Sequence, residues 1–178
     1  NETAHDKVKH ITTISRIEED NYVWLDKFTI RNLELFSSAN ENAKTLIEVI
    51  DETISPMGSR LLKRWLALPL KDKAPIEERL NVVDYFLADA DNASIIRTST
   101  KLIGDLERVV SKVSTGRISP KEVVQLKNAL LALRPIKEIC DEASNDSLKK
   151  IGQQLNLCNL VTDRIEKELM PEPPYQII

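Results

Sequence analysis

The sequence predicts a mainly α-helical, multihelical core domain with a short β-hairpin at its N-terminal end. Three observations indicate this fold. Apolar residues recur at helical spacing from about residue 27 onward, helix start signals precede several of these segments, and strand-like patterning is confined to residues 9–26. With 178 residues, 42% of them apolar, the chain is long enough to build one domain with a core of its own.

Residues 9–26 are expected to form the hairpin. A β-branched run at residues 11–14 precedes a polar turn at 19–21, and a second strand-like run follows at 22–25. Because a short two-stranded ribbon is only marginally stable alone, we expect it to border a neighbouring domain or to cover the helices.

The first helices are predicted between residues 27 and 67. Leu46, Ile47 and Ile50 form an apolar stripe that ends near residue 54. Ser55 is then placed to cap the next helix, with Pro56 at its first position, where a missing N–H costs nothing. That helix is expected to stop before Pro69.

The next helix is predicted to begin at Pro75, and a short helix is expected at residues 92–100. Apolar side chains recur in the first of these at Ile76, Leu80, Val83 and Leu87. Two glutamates, at positions 77 and 78, would then lie in its first turn, where the positive end of the helix dipole favours carboxylates.

The later helices have clear boundaries in the sequence. Asp105 is predicted to cap a helix that ends at Gly116 and to pair with Arg108 at i, i+3. Ser119 and Glu122 form a capping box, and Pro135 is expected to kink or stop the helix that follows. Further helices are predicted at 146–156 and 158–169, before a proline-rich tail at 171–178.

The charge balance and the absence of long apolar runs narrow the functional classes. The chain has 25 Lys and Arg against 28 Asp and Glu, a net charge of −3 that provides no overall field for holding a polyanion. No apolar run approaches the roughly 20 residues needed to cross a bilayer, so we expect no membrane partner. Cys140 and Cys158 are expected to be small core residues of a reduced, cytoplasmic protein.

No catalytic, cofactor-binding or metal site is predicted in this chain. The four glycines are not spaced to cradle a phosphate, and His5 and His10 lack both helical spacing and a further strong ligand. Because no nucleophile, base and orienting group can be assembled from the motifs, we expect no enzyme here. The chain starts at Asn1 rather than Met, so we expect a piece of a longer protein.

The best local candidate for binding is a basic cluster within residues 60–73. Arg60, Lys63 and Arg64 share one face of a predicted helix, and Lys71 and Lys73 follow shortly after it. The favoured interpretation is a solvated face that pairs with acidic helices nearby; the alternative is contact with the DNA backbone or with an acidic partner. Trp24 and Trp65 are interpreted as core residues rather than as stacking platforms for bases.

Residues 53–66, TISPMGSRLLKRWL, closely resemble the signature of the core domain of the MutS family of DNA mismatch-repair proteins. Three other segments agree in order and spacing: residues 31–35 (RNLEL), 103–108 (IGDLER) and 117–120 (RISP). The residues taken as the structural signature are Pro56, Met57, Gly58, Trp65, Asp105 and Arg108. The similarity is strongest over about residues 22–134.

The resemblance implies a clamp-shaped, homodimeric parent ATPase that finds mismatched duplex DNA and recruits MutL. Residues 1–26 would be the connector-to-core junction, 27–170 the first part of the helical core, and 171–178 a linker toward the lever helix and clamp. Its immediate partners would be the connector, clamp and ATPase domains, with ATP and Mg²⁺ bound elsewhere in the parent. None of the three phenylalanines begins the Phe-x-Glu motif with which the family reads mismatches.

Three functional hypotheses follow. The first is a non-catalytic module that couples mismatch recognition to the ATPase of a MutS-type protein. The second is a stand-alone helical adaptor that binds a protein through an exposed apolar groove, and full burial of the leucine stripes would argue against it. The third is a weak, backbone-only DNA-binding module that uses the basic cluster. The resemblance also leaves open a parent that acts in recombination rather than in repair.

Overall fold

The computed structural model describes residues 21–40 and 42–174. Within these ranges the chain forms ten helices, which confirms the mainly α fold class. They are α1 (Lys27–Asn32), α2 (Leu46–Ile50), α3 (Pro56–Ala67), α4 (Lys73–Ala88), α5 (Ala90–Ile103), α6 (Leu106–Ser114), α7 (Pro120–Leu131), α8 (Leu133–Glu142), α9 (Asp146–Gln154) and α10 (Asn159–Glu168).

The predicted β-hairpin lies mostly outside the described residues. Tyr22, in its second run, makes one antiparallel bridge to Leu70 in the segment between α3 and α4. The Val23 N–H donates to the Pro69 carbonyl at 2.8 Å, on one side of this bridge. Beyond this bridge the described ranges contain no strand, and the pairing of residues 11–14 stays a prediction.

Most of the predicted helix boundaries are confirmed by cap geometry. The hydroxyl of Ser55 accepts from the Gly58 N–H at 3.1 Å, and Pro56 is the first residue of α3. Ser119 and Glu122 form the predicted capping box at the start of α7. Gly116 follows the end of α6 with a φ of 67°, the left-handed conformation expected for that position.

Two helices begin two residues earlier than predicted. α4 begins at Lys73 rather than at Pro75, so the two glutamates predicted for its first turn lie outside that turn. Proline is tolerated at the third position because the N–H groups of the first turn have no partner within the helix. α5 begins at Ala90 rather than at residue 92, since Asp89 accepts from the Asn92 N–H at 3.0 Å and serves as its cap.

The predicted interruption at Pro135 is confirmed, although it falls three residues earlier. α7 ends at Leu131 and α8 begins at Leu133, so that Ala132 alone joins the two helices. Pro135 is the third residue of α8, for the same reason that Pro75 is the third residue of α4. The two later helices match α9 and α10 to within about two residues at each end.

The best-packed part of the described core lies where α4, α8 and α9 meet. Cys140, Ala143 and Leu148 are all buried there, and Cys140 is a core residue as predicted. Four partly buried side chains cover them: Val82, Tyr85, Phe86 and Ile136. Cys158 is not in a core, since it is only half-buried and has a φ of 51° just before α10.

Several apolar side chains that the periodicity assigned to the core are exposed. On α4, Leu80, Val83 and Leu87 are 55%, 52% and 77% exposed. Trp24 and Trp65 are 67% and 40% exposed, so the prediction that both are core residues is wrong. α4 has apolar residues on two faces, and periodicity alone does not say which face the neighbouring helices cover.

Candidate functional site

Arg60 on α3 joins two motifs that are 45 residues apart in the sequence. Its guanidinium donates to both carboxylate oxygens of Asp105, at 3.1 and 2.7 Å. Its Nε also donates to Glu107 Oε2 at 2.9 Å. This bidentate arrangement fixes the angle as well as the distance between the two groups, because the guanidinium is a rigid planar fork. We call Arg60, Asp105 and Glu107 the α3–α6 clasp.

The same Asp105 also caps α6. Its Oδ1 accepts from the Arg108 backbone N–H at 3.3 Å, so one carboxylate fixes the start of α6 and holds Arg60. The predicted side-chain ion pair between Asp105 and Arg108 is replaced by the pair with Arg60. Arg108 therefore contributes through its backbone N–H. The i, i+3 spacing of Asp105 and Arg108 did not reveal that the carboxylate pairs with the side chain of Arg60 instead.

The clasp shifts the pKa values of Asp105 and Arg60 in opposite directions. Hydrogen bonds from Arg60 lower the pKa of Asp105 from its ordinary value of 3.8, with the Arg108 N–H adding to the effect. Hydrogen bonds to Asp105 and Glu107 raise the pKa of Arg60 above its ordinary value. Both shifts favour the charged forms, so the clasp is an ion pair at neutral pH.

A second polar set fixes the junction between α2 and α3. Asp51, at the end of α2, accepts hydrogen bonds from Thr53 and from the Ser59 hydroxyl on α3. These hydrogen bonds, the one from Ser59 first, lower the pKa of Asp51. A Cβ at Gly58 would lie 3.2 Å from Ser55 Oγ and 3.3 Å from Thr53 Cβ. We call this set the α2–α3 junction.

The five basic candidates do not act as one cluster. Arg60 belongs to the clasp, and Lys73 pairs with Glu77 at 3.3 Å on the surface of α4. Lys63 and Arg64 are exposed on α3 and line a shallow cavity beside Phe36 and Ile47. Lys71 donates its backbone N–H to Asn21. A role for these residues in contacting DNA stays a prediction.

The structural signature residues are distributed over three places. Pro56, Met57 and Gly58 form the first turn of α3 in the α2–α3 junction. Asp105 and Arg108 begin α6. Trp65 lies on the opposite side of α3 from the clasp, where the guanidinium of Arg79 stands 3.7 Å from the centre of its ring.

Sequence reasoning did not identify two of the residues that complete this site. Glu107 lies inside the resembling segment 103–108, but nothing in its spacing pointed to Arg60, and no pattern singled out Asp51. Both contacts are long-range or cross a turn, so no local spacing rule finds them. The clasp joins two of the resembling segments, 53–66 and 103–108. Their shared resemblance to one family was the sequence signal that could have pointed to this contact.

Two other kinds of site, a metal site and a membrane-spanning helix, are absent from residues 21–40 and 42–174. In residues 21–40 and 42–174 no three His, Cys, Asp or Glu side chains lie together so that they could hold a metal ion. None of the helices in these ranges combines the length and the apolar content that crossing a membrane requires.

Comparison with known proteins gives a consistent result. The family model described as MutS domain III matches residues 28–177. A protein from Bacteroides fragilis named DNA mismatch repair protein MutS is 58% identical over 175 residues, or 98% of this chain. Proteins of the same name from Bacteroides thetaiotaomicron and Christiangramia forsetii are 58% and 51% identical over 175 and 176 residues. The chain spans about one fifth of the length of these curated relatives.

Proposed function

This chain belongs to the MutS domain III family, and we propose that it is a non-catalytic coupling module of a MutS-type mismatch-repair ATPase. In this role it transmits the state of the DNA-binding parts of the full-length protein to the ATPase domain. It also transmits the state of the ATPase domain to the DNA-binding parts. The observation that carries the proposal is the α3–α6 clasp, which ties the second turn of α3 to the start of α6 through one guanidinium.

Coupling requires a body that moves as a unit and holds a defined angle to its neighbours. The clasp and the α2–α3 junction support this proposal, because together they connect α2, α3 and α6. Asp51 fixes α2 to α3 through Ser59, and the next residue, Arg60, fixes α3 to α6. A displacement at α2 is therefore passed to α6 through two adjacent residues of α3.

The remaining assignments concern the full-length protein and are part of the same proposal. The connector domain would precede residue 27, and the chain after residue 170 would lead toward the lever helix and clamp. We assign ATP and Mg²⁺ to the ATPase domain, and mismatched duplex DNA and MutL to the assembled, homodimeric protein in the cytoplasm. Catalysis is not assigned to residues 1–178.

The test uses the full-length protein and compares two charge reversals on the same helix. Arg60→Glu removes the clasp, whereas Arg64→Glu changes the same charge one turn away, outside it. We expect Arg60→Glu to abolish most of the stimulation of ATP hydrolysis by mismatched DNA. Basal hydrolysis and the affinity for DNA should change little in Arg60→Glu. Arg64→Glu should keep the stimulation at a saturating concentration of mismatched DNA, where a weaker backbone contact has no effect.

A reciprocal variant separates the clasp from a general loss of structure. Asp105→Arg combined with Arg60→Glu restores opposite charges at the same place, so partial recovery of the stimulation is expected. Gly58→Val is expected to uncouple DNA binding from the stimulation of ATP hydrolysis. Its side chain would press on Ser55 and Thr53 and so force the α2–α3 junction apart. Unchanged stimulation in both Arg60→Glu and Gly58→Val would refute the coupling role.

A second candidate function is a weak contact with the DNA backbone through Lys63 and Arg64. Both side chains are exposed, and neither is in an ion pair within the described ranges. Fluorescence anisotropy of residues 1–178 with matched and mismatched duplexes tests this at roughly 50 and 200 mM salt, because phosphate contacts weaken steeply over that range. Equal, salt-sensitive binding that Lys63→Glu and Arg64→Glu remove would support it.

A further inference from the structure

The described helices fall into two parts that differ in how they pack. Each of the helices α4–α10 packs closely against at least one other helix of this set. Among the helices that the structure describes, none of α1, α2 and α3 belongs to such a closely packed pair. We call the first part the α4–α10 bundle and the second part the α1–α3 unit.

The α1–α3 unit is held together by contacts of its own. The N–H groups of Leu46 and Ile47 donate to the carbonyls of Glu34 and Leu35 at 3.0 and 3.1 Å, which joins the segment after α1 to the start of α2. The side chains of Leu35 and Ile47 are also buried. The α2–α3 junction then fixes α2 to α3. A movement of the whole unit therefore leaves these internal contacts intact.

Two arginines connect the α1–α3 unit to the bundle, near opposite ends of α3. Arg60, on the second turn of α3, binds Asp105 and Glu107 at the start of α6 in the clasp. Arg79, on α4, stands 3.7 Å from the centre of the ring of Trp65, which lies near the end of α3. Both contacts are at the surface, since the Arg60 side chain is 48% and Trp65 is 40% exposed. Exposed ion pairs and exposed cation–π contacts each stabilise only weakly.

The space between the two parts is only partly filled. A cavity of about 530 Å³ is lined by Trp65 from the α3 side and by Val82, Val83 and Ile151 from α4 and α9. Within the described ranges, α3 has no buried side chain. Because burial of apolar surface is the main force that holds packed elements together, the position of α3 on the bundle depends on the two arginine contacts.

The connection between the two parts is short and leaves the start of α4 uncapped. Residues 68–72 lead from α3 to α4. Leu70 bridges to Tyr22, which ties this part of the connection to the chain just before α1. In the described chain Asp72, the N-cap residue of α4, makes no capping hydrogen bond with its side chain. Since such a bond stabilises the first turn of a helix, a change of backbone angle costs least at Asp72.

We propose that the α1–α3 unit moves as one body on the α4–α10 bundle about Asp72, and that Arg60 and Arg79 together hold it in the arrangement that the structure shows. Because both arginines act on the same body, loss of either contact weakens the other. Trp65 becomes more exposed when either contact is lost. The movement concerns residues 1–178 alone and does not rest on the proposed coupling role.

Trp65 provides the first measurement. The chain has two tryptophans, so Trp24→Phe in residues 1–178 leaves Trp65 as the only indole. In this background we expect Arg79→Gln to raise the constant for acrylamide quenching about twofold, because the ring loses its cation. Arg60→Gln should raise the constant to a similar extent from the other side of α3. Arg64→Gln, which makes the same change outside both contacts, is the matched control and should leave quenching unchanged.

Salt tests the contribution of the clasp separately. An exposed ion pair is screened by salt, so quenching of Trp65 should rise when the ionic strength is raised from about 50 to about 500 mM. Acrylamide is uncharged, and salt therefore does not change its approach to the ring. Arg60→Gln should remove this salt dependence, because the clasp is then already lost.

Distances between spin labels distinguish movement of the unit from unfolding of its helices. In a Cys158→Ser chain the remaining thiol, Cys140, is buried and does not take a label. Labels at the exposed positions Val49 on α2 and Leu87 on α4 span the two parts, and their distance distribution should broaden when both arginines are replaced by glutamine. Labels at Phe28 and Val49, both within the unit, should keep their distribution.

Three results would overturn the proposal. Unchanged quenching of Trp65 in Arg60→Gln would show that the two contacts act independently. An equal increase in Arg64→Gln would show that the effect does not come from the two contacts. Broadening within the unit as great as that between the two parts, with a loss of helical circular dichroism, would assign the effect to unfolding of α1–α3 instead of movement as one body.

Discussion

The packed region where α8 meets α9, which we call the α8–α9 corner (Cys140, Ala143, Leu148 and Gly152), and the α3–α6 clasp hold helices together by different means. At the corner, Cys140, Ala143 and Leu148 are 2%, 1% and 3% exposed, and a Cβ on Gly152 would lie 3.0 Å from Cys140 Cβ. At the clasp, α3 and α6 have no buried residue, and the contact is an ion pair whose arginine is 48% exposed.

The corner and the clasp provide different properties: the corner stabilises the fold, and the clasp fixes the angle between two helices. Burial of apolar surface is the larger source of folding free energy, whereas exposed ion pairs contribute little. A bidentate ion pair instead restricts the angle between two helices. We therefore expect changes at the corner to unfold the chain, and changes at the clasp to alter coupling in the full-length protein while the fold survives.

The largest effect is expected from Leu148→Ala at the corner. Removing a buried leucine costs about 2–5 kcal/mol of the free energy of unfolding, because it loses transfer free energy and leaves a cavity. Leu80→Ala on α4 is the matched control, since that side chain is 55% exposed and should cost under about 1 kcal/mol. Urea unfolding of both variants measures the difference, and similar midpoints would contradict the comparison.

A smaller loss is expected when a methyl group is added at Gly152. Gly152→Ala should destabilise by about 1–2 kcal/mol, because overpacking against Cys140 and Asp141 outweighs the gain in helix propensity. The same change at Gly58 meets its neighbours at 3.2–3.3 Å and should alter the free energy of unfolding by less than about 1 kcal/mol. Equal losses in urea unfolding would show that the α2–α3 junction is packed as tightly as the corner.

The helix caps and the buried face of α4 were not equally predictable from the sequence. Caps at Ser55, Asp105 and Ser119 were found because their signals are local: one side chain and an amide three residues on. The sequence did not show which face of α4 is buried, because both faces carry apolar residues. Val82 and Phe86 pack against the core, whereas Leu80 and Val83 are exposed. That choice depends on where α8 and α9 lie.

The site shows the same limit. The resemblance placed Asp105 and the first turn of α3 among the signature residues, but not their contact through Arg60. The basic cluster was expected to be a solvated face that pairs with acidic helices nearby, and Arg60 pairs with α6 in this way. Lys73 instead pairs within α4, and Lys63 and Arg64 line a shallow cavity. Pairing over 45 residues is a property of the tertiary structure and leaves no local pattern.

The stability of the folded chain should also change at both ends of the pH scale, with the acid end set by carboxylates of the clasp, of the α2–α3 junction and of the capping box of α7. The pKa of Asp51 and Asp105 is lowered in the folded chain, and that of Glu122 falls from 4.5 to about 2 because Lys112 and Ser119 donate to it. A lowered folded-state pKa stabilises above the unfolded value, and the contribution is lost as pH falls through the folded value. Stability should therefore decline below about pH 4.5.

At the corner the sign is reversed. Burial raises the pKa of the Cys140 thiol above 9.0, so its contribution is complete below that value and is lost as pH rises through the raised one. Thermal unfolding from about pH 2 to about pH 10 measures both ends. Asp105→Asn should weaken the decline on the acid side only, and only in part because Asp51 and Glu122 remain, whereas Cys140→Ala should flatten the alkaline side only. Any exchange of these effects would refute the assignment.

The smallest effect on stability is expected at the clasp itself. Arg60→Gln and Asp105→Asn should each lower the melting temperature of residues 1–178 only slightly, because the pair is exposed and screened by salt. Asp105→Asn keeps a side chain that can still cap α6, so the double variant should lose less than the sum of the two single losses. In the full-length protein the same substitutions should reduce stimulation of the ATPase by mismatched DNA far more than they reduce the melting temperature. Additive and large losses of stability, with stimulation falling only in proportion to the folded fraction, would make the clasp a stabilising contact and remove its role in coupling.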